Sequence, residues 1–272
     1  MNLLSSRFRI TTLMGQIVII AMTIAVAQLA FAPSQLQAQG KNGGDPKANF
    51  RADVAELSAA RLNGAAESES QEEKPLDYLD SIASSILNAS AKPDLIVANQ
   101  ILLALLPDPP PVGENYRLVK LGGTPAAYAM VVNFGLGGPA AVRIYAVTRG
   151  RFILAAKIDH FVQKDFFDSD LELVPVSESE PVFVTVSGRT DDLSTGIFSA
   201  WRFDGHSAVS LWSSDLLQQS NYESDASGFH LTYCGQVDED HPSQCLKMTR
   251  DVYRLQAGEW KRVESADLPA AK

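Results

Sequence analysis

Between Ile10 and Gly40 the chain has no Asp, Glu, Lys or Arg, and the two side-chain charges before that run, Arg7 and Arg9, are both positive. A basic start followed by an uncharged stretch, densest in apolar residues from Ile17 to Ala32 and ending among small residues, is the make-up of a secretory signal. Ala25-Val26-Ala27, Ala30-Phe31-Ala32 and Leu36-Gln37-Ala38 offer cleavage sites, and Pro33 disfavours the second. The alternative is an uncleaved anchor across residues 10–32, because the run reaches the roughly 20 residues that a membrane helix needs. Gln16, Thr23 and Gln28 weaken that alternative, so residues 1–38 are read as a signal peptide. No cysteine lies in this region, which removes lipid attachment at a signal-end cysteine. Under either reading the rest of the chain is extracytoplasmic, periplasmic or secreted.

Cysteine is scarce: there are two, Cys234 and Cys245. An oxidising compartment and an even count pair them in a disulfide. Their spacing is far from Cys-x-x-Cys, which excludes a redox pair of that type, and with His241 they make too few ligands for zinc. The loop between them holds Asp238, Glu239 and Asp240, the only candidates for a metal, which would be Ca²⁺. Solvated loop charge is the simpler reading of that trio, and no other cofactor is implied.

Catalytic motifs are missing. The four histidines, His160, His206, His230 and His241, stand on separate segments. There is no Gly-x-Ser-x-Gly elbow, no His-Glu-x-x-His helix and no phosphate-binding Gly-x-x-x-x-Gly-Lys. Gly135-Leu136-Gly137-Gly138-Pro139 joins two strand-like stretches and reads as a turn. Paired acids such as Asp191-Asp192 have no defined separation, so glycosidase chemistry has no support beyond residue type. The chain reads as non-catalytic, with an extracytoplasmic hydrolase using loop carboxylates as the alternative.

What is present is acid. Without residues 1–38, which hold two arginines and no acids, 21 basic residues face 32 acidic ones. Such a chain avoids polyanions, which excludes nucleic acid as a partner. Residues 39–75 are rich in Ala, Gly, Gln, Ser and Glu, with few large apolar residues, and are expected to be a disordered linker. A helical preface is expected over 76–112. Leu76, Leu79, Ile82, Ile86 and Leu87 recur at helical spacing, and a second helix starts near Pro93-Asp94 and ends before the Pro107–Pro111 run.

From Tyr116 the period becomes alternating, and a β-repeat domain is expected over 113–265 with a short tail at 266–272. Strand-like stretches fall at 116–121, 127–134, 141–148 and 152–158. They recur at 171–176, 182–187, 197–203 and 207–212. The third set, 229–234, 248–255 and 260–263, has no clear first strand. Glycines 135, 188 and 235 close one strand of each set. Aromatic-x-apolar then follows as Tyr145-Ala146-Val147, Trp201-Arg202-Phe203 and Tyr253-Arg254-Leu255, with hairpin glycines at 150, 205 and 258. Residues two apart share a strand face, so each aromatic and its apolar partner face the core together, with Arg202 and Arg254 on the opposite side. Core placement is expected for Trp201, whereas Trp260, beside Gly258 and Glu259, is a candidate for exposure and sugar stacking.

The Val-Thr-Val-Ser-Gly … Trp-Arg-Phe-Asp-Gly … Leu-Trp pattern of residues 184–212 resembles one repeat of bacterial exported β-propeller-like proteins of uncharacterised function. The resemblance spans residues 116–265 and implies architecture alone. The Asp-x-Asp-x-Asp-Gly calcium loops of the integrin-type repeats are lacking, with Asp168-Ser169-Asp170 and Asp191-Asp192 as fragments. A repeat near 50 residues suggests blades, but three sets are fewer than the ~4–8 of a closed propeller. The expected fold is therefore mainly β, with antiparallel four-stranded repeats in a propeller-like arc or sandwich behind two short helices. The expected role is an exported, non-catalytic binding or cell-envelope scaffold protein. Its partner would be another envelope or extracellular protein or a glycan, with membrane contact only if residues 10–32 stay attached.

The cysteine pairing is directly testable. The purified chain should take up no alkylating reagent until reduced and two equivalents afterwards, read by mass spectrometry. Reduction should lower stability by about 3 kcal/mol in the chain-entropy model for a loop of about 12 residues.

Overall fold

A computed structural model describes residues 45–63, 69–135, 140–159, 169–189, 195–225, 227–241 and 244–269. Residues 1–38, His160, Asp168, Asp191 and Asp192 lie outside these residues. Among the described residues three helices, α1 (Pro46–Leu62), α2 (Glu69–Asn88) and α3 (Leu95–Leu103), precede twelve strands. Strands β1 (Glu114–Gly122), β2 (Ala127–Phe134), β3 (Ala140–Thr148) and β4 (Arg151–Asp159) form the first sheet. Strands β5 (Ser169–Pro175), β6 (Val182–Arg189), β7 (Gly196–Phe203) and β8 (Ala208–Ser213) form the second. The third holds β9 (Asn221–Asp225), β10 (Gly228–Val237), β11 (Cys245–Gln256) and β12 (Glu259–Pro269). Each sheet is an antiparallel meander in chain order, and among the described residues none closes into a barrel.

Burial shows how the sheets stack. Tyr116, Leu118, Tyr128, Met130, Val132, Phe134 and Tyr145, on one face of the first sheet, pack under the helices. Ala129, Val131, Val142 and Ile144, on its other face, pack against Leu173, Phe183 and Phe203 of the second sheet. The second sheet's far face, with Val182, Val184, Phe198 and Ala200, meets Phe229, Leu231, Tyr253 and Trp260 of the third. The order is helices, first sheet, second sheet, third sheet. The recurrent aromatic of each repeat occupies the same place in this order: Tyr145 faces the helices, Trp201 the first sheet and Tyr253 the second. Side chains two apart share a face, so one repeated dipeptide spacing turns every sheet the same way.

The stack ends with a polar surface. On the third sheet the outward positions include Glu223 and Asp225 of β9, His230 and Thr232 of β10, and Arg250 and Arg254 of β11, with Val252 between the two arginines. Arg254 pairs with Asp225 at 3.0 Å, and an Arg250 guanidinium nitrogen lies 2.6 Å from His230 Nδ1. This arrangement fits Nε2–H of His230 directed at Asp225 Oδ2, 3.3 Å away, leaving Nδ1 to accept from Arg250. A charged outer face caps a stack of repeats as effectively as the helices cap its other end.

Three expectations need correction. Residues 39–75 are not wholly a linker, since 46–62 and 69–75 are helical. Composition hid this because, among the described side chains, α1 buries Phe50, Val54 and Leu57, each at most 2 % exposed, amid small and charged residues. Phe50 stacks on Tyr78 and meets Tyr116 edge-on. Among the described residues the preface therefore has three helices. The third repeat does have its first strand, β9, whose sequence Asn-Tyr-Glu-Ser-Asp lacks apolar alternation because, of its inward positions Tyr222 and Ser224, only Tyr222 is apolar. The tail from 266 to 269 belongs to β12, which pairs with β11 as far as Lys247 opposite Pro269.

The hairpin glycines serve as expected: Gly150 and Gly258 have positive φ, as do Arg149 and Ala257 before them, the two-residue turn that matches strand twist. Gly188 and Gly235 lie inside β6 and β10 rather than at strand ends.

Truncating Phe50→Ala should cost about 3–5 kcal/mol in chemical denaturation, as for a buried aromatic. A linker residue would change stability by less than about 0.5 kcal/mol.

Candidate functional site

The first strands of the three sheets, β1, β5 and β9, bring their C-terminal ends to one cleft. Lys120, Leu121 and Gly122 form one wall, Pro175 to Glu178 a second, and Ser224 with Asp225 a third, around ≈ 640 Å³. Every repeat contributes at the same place in its sheet, so the cleft follows from the stacking rather than from any one loop. The same three strands also interact earlier along their length. Tyr222 on β9 is half-buried and pushed up to about 12, first by burial and next by the negative charge of Glu172 on β5, with Arg117 on β1 opposing. Arg117 Nε is buried with no hydrogen-bond partner among the described residues.

The walls are held closely. Gly122 lies at φ +100°, and a Cβ there would come within 2.9 Å of the carbonyl oxygens of Ser177 and Glu178. Gly123 N–H donates to Glu178 O at 3.4 Å across the same seam. The Asp225 carboxyl sits near 2, below the usual range, because the Ser227 hydroxyl and backbone N–H donate to it, with the Arg254 guanidinium adding positive charge. The rim therefore presents a fixed anion at Asp225, the exposed Glu178 carboxylate and the exposed Lys120 ammonium. That mixture suits recognition of a polar ligand carrying both signs. A smaller hollow of ≈ 370 Å³ between β4 and the β7–β8 turn, lined by Leu154–Lys157 and His206–Ala208, gathers no comparable set of charges.

Elsewhere, buried carboxylates serve the fold. Glu114 is held by Arg51 from α1 and by the Tyr116 hydroxyl. Asp80 on α2 accepts from the Tyr145 hydroxyl at 2.5 Å and faces Arg143 at 3.5 Å. Asp251 accepts from the Tyr233 hydroxyl at 3.0 Å and Arg262 at 3.2 Å. Burial pushes the Asp80 carboxyl up while Tyr145 and Arg143 hold it down. Burial, then the neighbouring carboxylate, raises the Tyr116 and Tyr145 hydroxyls. Each acid is paired with a hydroxyl and a guanidinium, which keeps a charge tolerable at an interior seam.

The residues singled out from the sequence fall as follows. Cys234 and Cys245 are joined in a disulfide bridging β10 and β11. Asp238, Glu239 and Asp240 do not converge on a cation: Asp238 Oδ1 instead accepts from the backbone N–H groups of Asp240 and His241, closing a turn. Among the described residues no group of three or more His, Cys, Asp or Glu is placed to hold a metal. His206 sits in the β7–β8 turn, where Asp204 accepts from the Ser207 and His206 backbone and falls to about 2. Trp201 is half-buried and donates to Thr185 Oγ1 at 2.9 Å. Trp260, expected to be more exposed, is only 7 % so, because it lies opposite Leu255 and packs 5.0 Å from Phe229.

No protein-family model and no curated protein matches this chain. The assignment of a role therefore rests on its own geometry. The sequence did not point to the cleft, because Lys120, Glu178 and Asp225 are about 50 residues apart in turn and carry no motif. The repeat period was the one available signal.

Gly122→Ala should destabilise the protein by about 1–3 kcal/mol, because it combines a left-handed backbone with carbonyl contacts on the cleft wall. Gly150→Ala, with open space around its Cβ, should cost less in the same thermal melts.

Proposed function

We propose that the protein is an exported, non-catalytic binding or envelope-scaffold module that engages its partner at the cleft between the three first strands. The observation that carries this reading is convergence: one strand end from each repeat supplies the lining, with Lys120, Glu178 and Asp225 on the rim. Repeat folds build binding surfaces in this way, by placing equivalent loop positions side by side. The disulfide supports an oxidising, extracytoplasmic setting. The paired charges of opposite sign favour an extracellular protein segment or a polar glycan over a polyanion.

The test is a cross-linking pull-down with the oxidised chain from residue 39 against the producing organism's envelope extract. A reproducible partner is expected, and Lys120→Glu combined with Glu178→Lys should weaken its capture by about tenfold. A partner retained equally by the charge-reversed variant would move the site away from the cleft. Absence of any protein partner, followed by binding in a glycan screen, would make the partner a glycan.

A further inference from the structure

The fourth strands of the three sheets, β4, β8 and β12, lie side by side at the outer rim of the stack, with β8 in the middle. An edge strand leaves a row of backbone N–H and C=O groups without partners, and proteins commonly block such a row. On β4 the block is a side chain. Asn88 of α2 donates from Nδ2 to Phe152 O and accepts from Phe152 N–H, both at 2.9 Å, the two bonds that a neighbouring strand would make. Asn99 of α3 does the same to Leu118 on β1, the other edge of that sheet, at 3.1 and 2.7 Å. On β12 the block is charge: Lys261, Arg262, Glu264 and Asp267 are all exposed.

β8 has neither block. Its sequence, Ala-Val-Ser-Leu-Trp-Ser, is uncharged, and Val209 is 39 % exposed. Phe203 N–H donates to Pro181 O on the β6 side, so the backbone groups of the Phe203–Ala208 pair turn away from each other. Alternation along an antiparallel ladder then directs the N–H and C=O of Ala208 and Ser210 outward. Among the described residues nothing bonds them. A bulge at Leu211 shortens this edge, but Ala155 and Val263 are bulged at the matching places on β4 and β12, so the bulge does not set β8 apart. Beside the edge lies the ≈ 370 Å³ hollow walled by Leu154–Lys157 of β4 and His206–Ala208.

We propose that β8 receives an extended, uncharged segment of a partner protein as a fifth strand of the second sheet, with an apolar side chain in the hollow. In strand addition of this kind main-chain bonds give affinity and a neighbouring pocket selects a side chain. The segment is uncharged because β8 offers no counter-charge, and an ion set against it would lose water without gaining a partner. A second folded copy does not suit the same edge. Joining two second sheets would bring β4, covered at Phe152 by Asn88, and the charged β12 against their counterparts. The edge is six residues, roughly 20 Å, long, too little for the roughly 800 Å² per partner of a standard folded interface. This rim is formed by the fourth strands, whereas the cleft is formed by the first, at the opposite edge of each sheet, so the proposal is independent of the cleft.

The test pans a phage-displayed library of random short peptides on the oxidised chain from residue 39 and measures the enriched peptides by fluorescence anisotropy. Ser210→Pro removes an outward N–H while leaving the β7–β8 ladder bonds in place, and Ser210→Ala keeps that N–H. Val209→Lys puts on β8 the kind of charge that β12 carries, at an exposed position, and decides the matter if Ser210→Pro misfolds. Ser210→Pro and Val209→Lys should each weaken binding at least about tenfold, with Ser210→Ala unchanged. The amides of Ala208 and Ser210 should gain hydrogen-exchange protection when peptide is bound. A peptide whose binding survives both changes in chains with unaltered thermal melts overturns the proposal. So does a peptide lost with Lys120→Glu and Glu178→Lys, which places it in the cleft, and so does failure to enrich any peptide. A dimer that Val209→Lys dissolves would overturn the partner segment in favour of a second copy.

Discussion

Every residue of β2 is buried, all eight of them, and this constraint organises the molecule. A strand points alternate side chains to opposite faces, so a strand buried throughout needs cover on both sides. One cover is the second sheet. The other is the helical layer, which is why α1 and α2 are part of the fold despite their polar composition. The second sheet then meets the same requirement, with Phe183 facing back and Val184 facing forward, and draws in the third. Stacking stops where an outer face can be wetted, at the guanidinium, imidazole and carboxylate groups of β9, β10 and β11.

Within this stack the interior charges follow one rule. Glu114, Asp80 and Asp251 are each held by a tyrosine hydroxyl and an arginine. An acid left alone at such a seam would either protonate or disrupt it. Paired in this way it fixes direction instead: Arg51 ties α1 to β1, and Asp80 ties α2 to β3. These contacts orient layers that apolar packing alone would allow to slide. The cleft differs because Glu178 and Lys120 remain exposed, so that charge there is not committed to an interior seam.

Much of this architecture was legible in the chain. Strand-like stretches marked eleven of the twelve strands among the described residues, by alternation where one face is wet and by β-branched and aromatic content where both are covered, as in β2. Tyr145, Trp201 and Tyr253 marked the repeat, because each fills the same site in successive layers. β9 was hidden by its polar sequence and α1 by its small residues, since each contributes only one or a few side chains to a core built mainly by others. Trp260 was misjudged for a similar reason: its neighbours in sequence are polar, while its neighbours in space are Leu255 and Phe229.

The sequence by itself determined the uncharged apolar run near its start, the cysteine pair, the acidic balance and the four-strand period. All of these are local properties: hydropathy along a run, a residue count, a spacing. Only the tertiary structure decided how many layers there are, which faces are capped, and that Lys120, Glu178 and Asp225 share one cleft. Those outcomes depend on contacts between residues about 50 positions apart, and no local pattern encodes which distant strand ends will meet.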